Sequence, residues 1–340
     1  MTMNNPALLC VVTTIQEPTA CMRRLNEALA LANSRVIIIG DRKGPARFEM
    51  SQADLLTLEQ QAALPYELAR LLPTGHYTRK NLGYLEAIRQ RAACIYETDD
   101  DNMPSPGWAP RSLTTSARPW LRPGWANIYR CYTPELIWPR GFPLRSINDP
   151  ATYQQQDFPP ATNVEAPIQQ GLANLAPDVD AIWRLTLDRE FYFKSGPSIW
   201  LAPGAWCPFN SQTTWWWPAA YPLLYLPSFC TFRMTDIWRS FIAQRCLWEL
   251  GRGVVFHAPE VIQQRNTHNL LHDFKDEVPG YLENEKITDC LLKLKLHPEP
   301  AALPDNLVSC YEGLINAGLL PNDEMALVKA WLQDLAWLQT

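Results

Sequence analysis

The first hundred residues read as an α/β fold built on a parallel sheet. Two short apolar runs, Ala7 to Thr14 and Arg35 to Gly40, flank a helical segment. A third run, Ala93 to Glu97, leads directly into Asp99, Asp100 and Asp101. Continuous Val/Ile/Leu-rich runs of that length suit strands buried on both faces. Two strands around a helix make a βαβ unit with a right-handed crossover.

Each element follows from its residues. Glu17 to Ala32 places Leu25, Leu29 and Ala32 on one helical side, and Asn81 to Ala93 does the same with Leu82, Leu85, Ile88 and Ala92. Ligands of open α/β sheets bind beyond the carboxyl ends of the strands. Thr13 and Thr14, Asp41 to Lys43, and Thr98 to Asn102 are therefore expected on one rim. Residues 103 to 180 read as loop-rich, with short strands near Asn127 to Tyr132. Ala181 to Leu185, Glu190 to Phe193 and Gly253 to His257 read as strands. Thr235 to Leu250 reads as a helix capped by Thr235 and ended by Gly251. After about residue 300 the pattern is helical again. The expected division is a domain over 7–285 and a helical tail over 286–340.

Composition narrows the class. With 340 residues, 47% hydrophobic and 19% charged, the chain can bury a sizeable core. A net charge of -5 and the lack of a dense basic block argue against a nucleic-acid partner. The nine cysteines form no CxxC pair, which suits reduced thiols and a cytoplasmic location. Prolines at 218, 222 and 227 interrupt the apolar run from Trp215 to Phe232, so no transmembrane segment is expected.

Three adjacent aspartates after a buried strand repel one another unless a cation neutralises them. Their hard oxygens suit Mn²⁺ or Mg²⁺ bound together with substrate phosphates; a solvated acidic loop is the plainer alternative. No GxGxxG follows the first strand and no GxxxxGK[ST] occurs, which leaves phosphates to a metal and to Arg42, Lys43, Arg79 or Lys80.

Several segments then resemble the STELLO family. They are Gly40-Asp41-Arg42-Lys43, Lys80-Asn81-Leu82-Gly83-Tyr84, the run from Ile95 to Asn102, and Asp178 to Thr186. Phe209-Asn210-Ser211-Gln212, Thr235 to Arg239 and Gln264 to Asn269 agree with it too. The resemblance covers roughly residues 8 to 285 and leaves the tail outside. STELLO proteins are glycosyltransferase-like and similar to the reversibly glycosylated polypeptides, the UDP-arabinopyranose mutases. The resemblance implies a GT-A-like three-layer α/β/α nucleotide-sugar-binding fold with a C-terminal helical appendage. It also implies a metal-dependent glycosyltransferase with a UDP-sugar donor and a glycan or other hydroxyl acceptor. A sugar-nucleotide mutase and a catalytically silent binding or scaffold protein are the alternatives.

Carried onto this chain, the resemblance puts Asp41 near the base, with Asn81 and Gly83 near the ribose and diphosphate. Thr13, Lys43, Asp99 and Asp100 complete the donor side. Asp99 and Asp101 bracket the metal, and His257, with His268 as its rival, completes the shell. Asp236 is the candidate base for an inverting transfer, although a carboxylate in a helix's first turn is also favoured by the macrodipole. Asp178 or Asp180, with Arg184, is a candidate for contact with sugar or leaving group. Asn210 and Gln212, beside Trp206 and Trp215, offer the amides and ring faces that suit an acceptor sugar.

Overall fold

The computed structural model describes residues 7–154, 158–266 and 269–339. The expected βαβ start is present. β1 (Leu9–Thr13) leads through α1 (Ala20–Leu31) to β2 (Arg35–Ile39), followed by β3 (Ala53–Leu56) and the short α2 (Leu58–Ala62) and α3 (Glu67–Leu71). α4 (Lys80–Arg89) then feeds β4 (Ile95–Thr98), and β1, β2, β3 and β4 all pair in parallel.

Alternating side chains of these strands enter two separate cores. Leu9, Val11, Ile37 and Ile39 pack with Leu82 and Leu85 of α4. Cys10, Val12, Val36 and Ile38 pack with Met22, Leu25 and Leu29 of α1. The sheet is thus covered on both faces, as continuous apolar strands require. This is the mixed α/β, three-layer arrangement expected from the sequence.

The second half extends the same sheet. Next come β5 (Asn102–Pro104), β6 (Thr114–Trp120), β7 (Gly124–Trp125), β8 (Thr162–Glu165) and β9 (Ile168–Asn174). α5 (Ala181–Leu187), β10 (Ile199–Leu201), β11 (Ala205–Trp206), β12 (Thr213–Trp216), α6 (Thr235–Glu249) and β13 (Val255–Gln263) complete it. The strand order is β3-β2-β1-β4-β12-β9-β13-β10-β6-β8, with β5 on β13 and a separate pair β11–β7. β12 runs antiparallel to both β4 and β9, so the residues just before it lie at the rim where β1, β2 and β4 end.

Some local expectations differ. Ala181–Leu187 is a helix: Asp180 caps it by accepting from the Trp183 N–H, and a short apolar run cannot by itself tell strand from helix. Ile128–Tyr132 is a 3₁₀ turn, and of 190–193 only Phe191 bridges, to Leu175.

α7 (Leu270–Lys293) is one helix running through residues 285 and 286, and α8 (Leu303–Asn316) and α9 (Glu324–Gln339) follow it. Leu307, Tyr311, Leu314, Val328 and Trp331 of the tail are buried in the same core as Leu82 and Phe241. Two carboxylates pin it further. Asp334 accepts from the N–H groups of Glu67 and Leu68, and Glu324 from those of Ser228 and Phe229.

Candidate functional site

A cleft of about 670 Å³ opens at the carboxyl ends of β1, β2, β4 and β13. Its lining includes Thr13, Asp41, Lys43, Asp99, Asp100, Asp101, Asn210, Gln212 and Asp236, all singled out from the sequence. Strand ends gather the first six. Asn210 and Gln212 arrive on the reversed β12, and Asp236 on the first turn of α6.

The acidic run sits on one side. Burial raises all three pKa values, and Asp99 and Asp100 add repulsion that helps push Asp101 up to about 7. Asp99 is relieved in part by Lys80, whose Nζ lies 3.0 Å from Oδ1 and also donates to the Thr98 carbonyl. Asp100 accepts from the Thr14 hydroxyl, and Asp101 from Gln263 Nε2 at 3.0 Å. The Thr13 hydroxyl, at the same rim, is buried and has no hydrogen-bond partner among the described residues. Hard oxygens with raised pKa values beside an unpartnered hydroxyl fit a cation and a phosphorylated ligand.

Arg140 organises the opposite side. Its guanidinium forks onto Asp178 at 2.9 and 2.8 Å and onto Asp236 at 3.0 and 3.0 Å. Burial would raise the pKa of Asp236. The Arg140 charge and hydrogen bonds, with donors from Ser211 N–H and Oγ, hold it below the usual carboxylate range instead. Gly141, at φ +87°, allows this approach, because a Cβ there would meet Ile237 of α6 at 2.4 Å. Arg140 is not legible in the sequence because its loop has no periodicity to place it beside Asp178 or Asp236.

The two sides touch through hydroxyls. Tyr77 Oη lies 2.7 Å from Asp99 Oδ1 and 2.6 Å from Ser211 Oγ, which lies 3.1 Å from Asp236 Oδ2. Phe232, half-exposed, packs edge-on to Tyr77 with centroids 5.4 Å apart. Gln16, Arg42, Gly75, His76, Arg233, Gln263 and Asn266 complete most of the remaining lining.

Several expected residues lie elsewhere. Asn81 is fully buried, its amide bridging the Leu226 backbone in both directions. Gly83 lets α4 approach β1 and β2, since a Cβ would come 2.5 Å from Val11. Both belong to the scaffold under the cleft. Asp180 holds Trp183 N–H and Trp138 Nε1, and Arg184 donates to the Pro177 carbonyl; neither lines the cleft. Asp178 is the one of that acidic pair that does. Trp206 and Trp215 are core. Arg79 is buried on Gln61 and the Leu72 carbonyl. Asp41 reaches the cleft, yet its carboxylate is engaged by the N–H groups of Arg42, Gly75 and His76.

His257 is not placed to join the acidic run. It is buried between Ser198 Oγ at 2.7 Å and Gln169 Oε1 at 2.9 Å. β13 continues to Gln263; across two bulges its path from His257 to Ile262 advances only from Gly171 to Asn174 of β9, which still puts the rim on the order of 10 Å further along the strand. Burial, then Arg111, lowers its pKa well below the ordinary value. His268 lies outside the described residues. Among those described, no three His, Cys, Asp or Glu side chains form a closed ligand set, so a cation here would need oxygens from its ligand.

These features describe an α/β protein whose cleft carries a run of three carboxylates with one lysine on one side and arginine-paired carboxylates on the other. Comparison with known proteins then gives its likeness. Residues 233–339 match the family model described as STELLO glycosyltransferases. The match includes the tail, which the sequence reading had left outside the resemblance. Two Arabidopsis thaliana proteins, named probable glycosyltransferase STELLO1 and STELLO2, are each 25% identical to this chain over 96% of its length. The chain spans 44% of the length of these relatives. A mycobacterial protein of known structure aligns over 82% of this chain and 74% of its own, at 10% identity and a TM-score of 0.41. M. tuberculosis glucosyl-3-phosphoglycerate synthase aligns over 82% and 80%, at 10% identity and a TM-score of 0.39. Among the described residues no helix is long and apolar enough to cross a membrane.

Proposed function

We propose that this chain is a glycosyltransferase of GT-A type that binds a nucleotide-diphosphate sugar, a UDP-sugar by preference, and transfers the sugar to a hydroxyl acceptor. The observation that carries the reading is the convergence of Asp99, Asp100 and Asp101 with the Thr13 hydroxyl on one rim, in a chain similar to STELLO proteins. Asp99 and Asp101 would hold Mn²⁺ or Mg²⁺, which would neutralise the leaving diphosphate. Lys43 and Arg42 line the same side and complement the remaining phosphate charge. Asn210, Ser211 and Gln212 present amide and hydroxyl groups to a sugar across from them.

Asp236 was expected as the base of an inverting transfer. A base works best with a pKa near the operating pH, and the fork from Arg140 holds Asp236 below that. The geometry favours Asp236 as the carboxylate that fixes Arg140 and orients acceptor hydroxyls. Asp236→Asn separates the roles. Loss of about 10²–10⁴-fold in turnover with unchanged stability supports the base. A loss of stability on the order of 1–3 kcal/mol with a milder loss of turnover supports the orienting role.

Incubation with UDP-sugars and Mn²⁺ tests the function itself. Free UDP marks a transferase, an isomerised donor a mutase like the UDP-arabinopyranose mutases, and binding without turnover a silent binder. No binding of any nucleotide sugar overturns the reading.

A further inference from the structure

The tail's part in this architecture is open, and one contact supplies it. Glu324, the first residue of α9, is fully buried. Its carboxylate accepts from Ser228 N–H at 3.1 and 3.0 Å, from Phe229 N–H at 2.7 Å and from the Tyr225 hydroxyl. All these donors lie on the segment from Tyr225 to Met234 that carries Phe232 and Arg233 into the cleft. The segment is also tied to the body, by Ser228 Oγ to Thr78 at 3.0 Å, Thr231 Oγ1 to the Asp276 carbonyl at 2.5 Å and Arg233 to Glu277. Phe232 itself has no such tie; it rests edge-on against Tyr77.

A buried carboxylate that takes two successive backbone N–H groups fixes both the position and the direction of that backbone. Phe232 follows three residues later. We propose that Glu324 is a positioning residue through which the C-terminal helices set the aromatic wall of the cleft, Phe232 against Tyr77, and so the width available to the acceptor. The assignment of an acceptor to that wall rests on the glycosyltransferase reading; the positioning of Phe232 by Glu324 does not.

Glu324→Ala removes both acceptor oxygens, so Ser228 N–H, Phe229 N–H and the Tyr225 hydroxyl all lose this partner. Asp334→Asn is the control. Asp334 also ties α9 to the body, through Glu67 and Leu68, yet touches nothing near the cleft. Fluorine NMR of protein labelled with 4-fluorophenylalanine reads the wall, with the Phe232 resonance assigned by its disappearance in Phe232→Leu. Both tail variants are expected to lower the thermal midpoint. Only Glu324→Ala should shift or broaden the Phe232 signal. A Phe232 signal unchanged in Glu324→Ala, or equally changed in Asp334→Asn, overturns the inference. Titration of the same samples with UDP and Mn²⁺ reports separately on the nucleotide site, so failure there leaves the positioning result standing.

Discussion

Within one cleft, two groups of aspartates have opposite surroundings. Asp99, Asp100 and Asp101 face each other with one lysine among them, and their pKa values rise. Asp178 and Asp236 share the buried guanidinium of Arg140, and the pKa of Asp236 falls. The second group has its counter-charge built into the fold; the first has one lysine against three carboxylates, and in the proposed reading a bound cation supplies the rest. Nearby carboxylates thus differ in charge compensation according to the cations the fold places beside them.

The largest test of that contrast removes the built-in charge. Arg140→Met leaves Asp178 with a 4.0 Å contact to Arg233 and Asp236 with the Ser211 donors in place of a shared guanidinium, and breaking such a buried pair costs about 3–5 kcal/mol. Urea denaturation should show a loss of that size. A loss below about 1 kcal/mol would mean water compensates Asp178 and Asp236, and the contrast would collapse. Asp101→Asn acts on the other side. It should weaken UDP binding in Mn²⁺ by at least about tenfold, while stability stays level or rises because like-charge repulsion is relieved. Calorimetric titration checks the first, thermal melting the second. Wild-type affinity would make the acidic run an ordinary surface.

A smaller effect sharpens the comparison with a third carboxylate, remote from the cleft. Burial pushes Asp180 up to about 7 against the hydrogen bonds from Trp183 N–H and Trp138. The folded state therefore holds its proton more tightly than the unfolded chain. Its favourable contribution is full below about pH 4 and is lost as pH rises through about 7. Asp180→Asn keeps a capping oxygen and removes that titration. The fall in wild-type stability between pH 5 and 8 should flatten in the variant by on the order of 1 kcal/mol. Parallel curves would show that Asp180 remains ionised throughout.

What could be read from the residues follows the same physics. β1, β2, β4 and α4 were legible because strands covered on both faces are continuous apolar runs, and the acidic triplet was legible because a strand end fixes its place. Arg140 was not, since its partners lie 38 and 96 residues away in sequence. Asn81 and Gly83 were placed by resemblance, which cannot separate a residue that meets a ligand from one that shapes the shelf beneath. Trp206 and Trp215 show the same ambiguity, because an indole suits a core as well as a sugar. His257 failed because β13 runs on past it to the rim and because Ser198 and Gln169 engage its two ring nitrogens.

The chain of oxygens from Asp99 through Tyr77 and Ser211 to Asp236 has a simple arithmetic. It contains three oxygen–oxygen contacts. A phenol and a serine bring one hydrogen each, and Lys80, which donates to the Tyr77 oxygen at 2.7 Å, stands beside the row without filling any of its gaps. Two hydrogens cannot serve three gaps, so with both carboxylates ionised one contact always sets lone pair against lone pair. Turning the Tyr77 hydroxyl from Asp99 toward Ser211 moves the vacancy from the middle of the row to the Asp99 end, and turning the Ser211 hydroxyl from Asp236 toward Tyr77 instead moves it to the Asp236 end. The row thus carries a hydrogen deficit of one, and the ionic state of either aspartate is felt at its far end without any backbone movement.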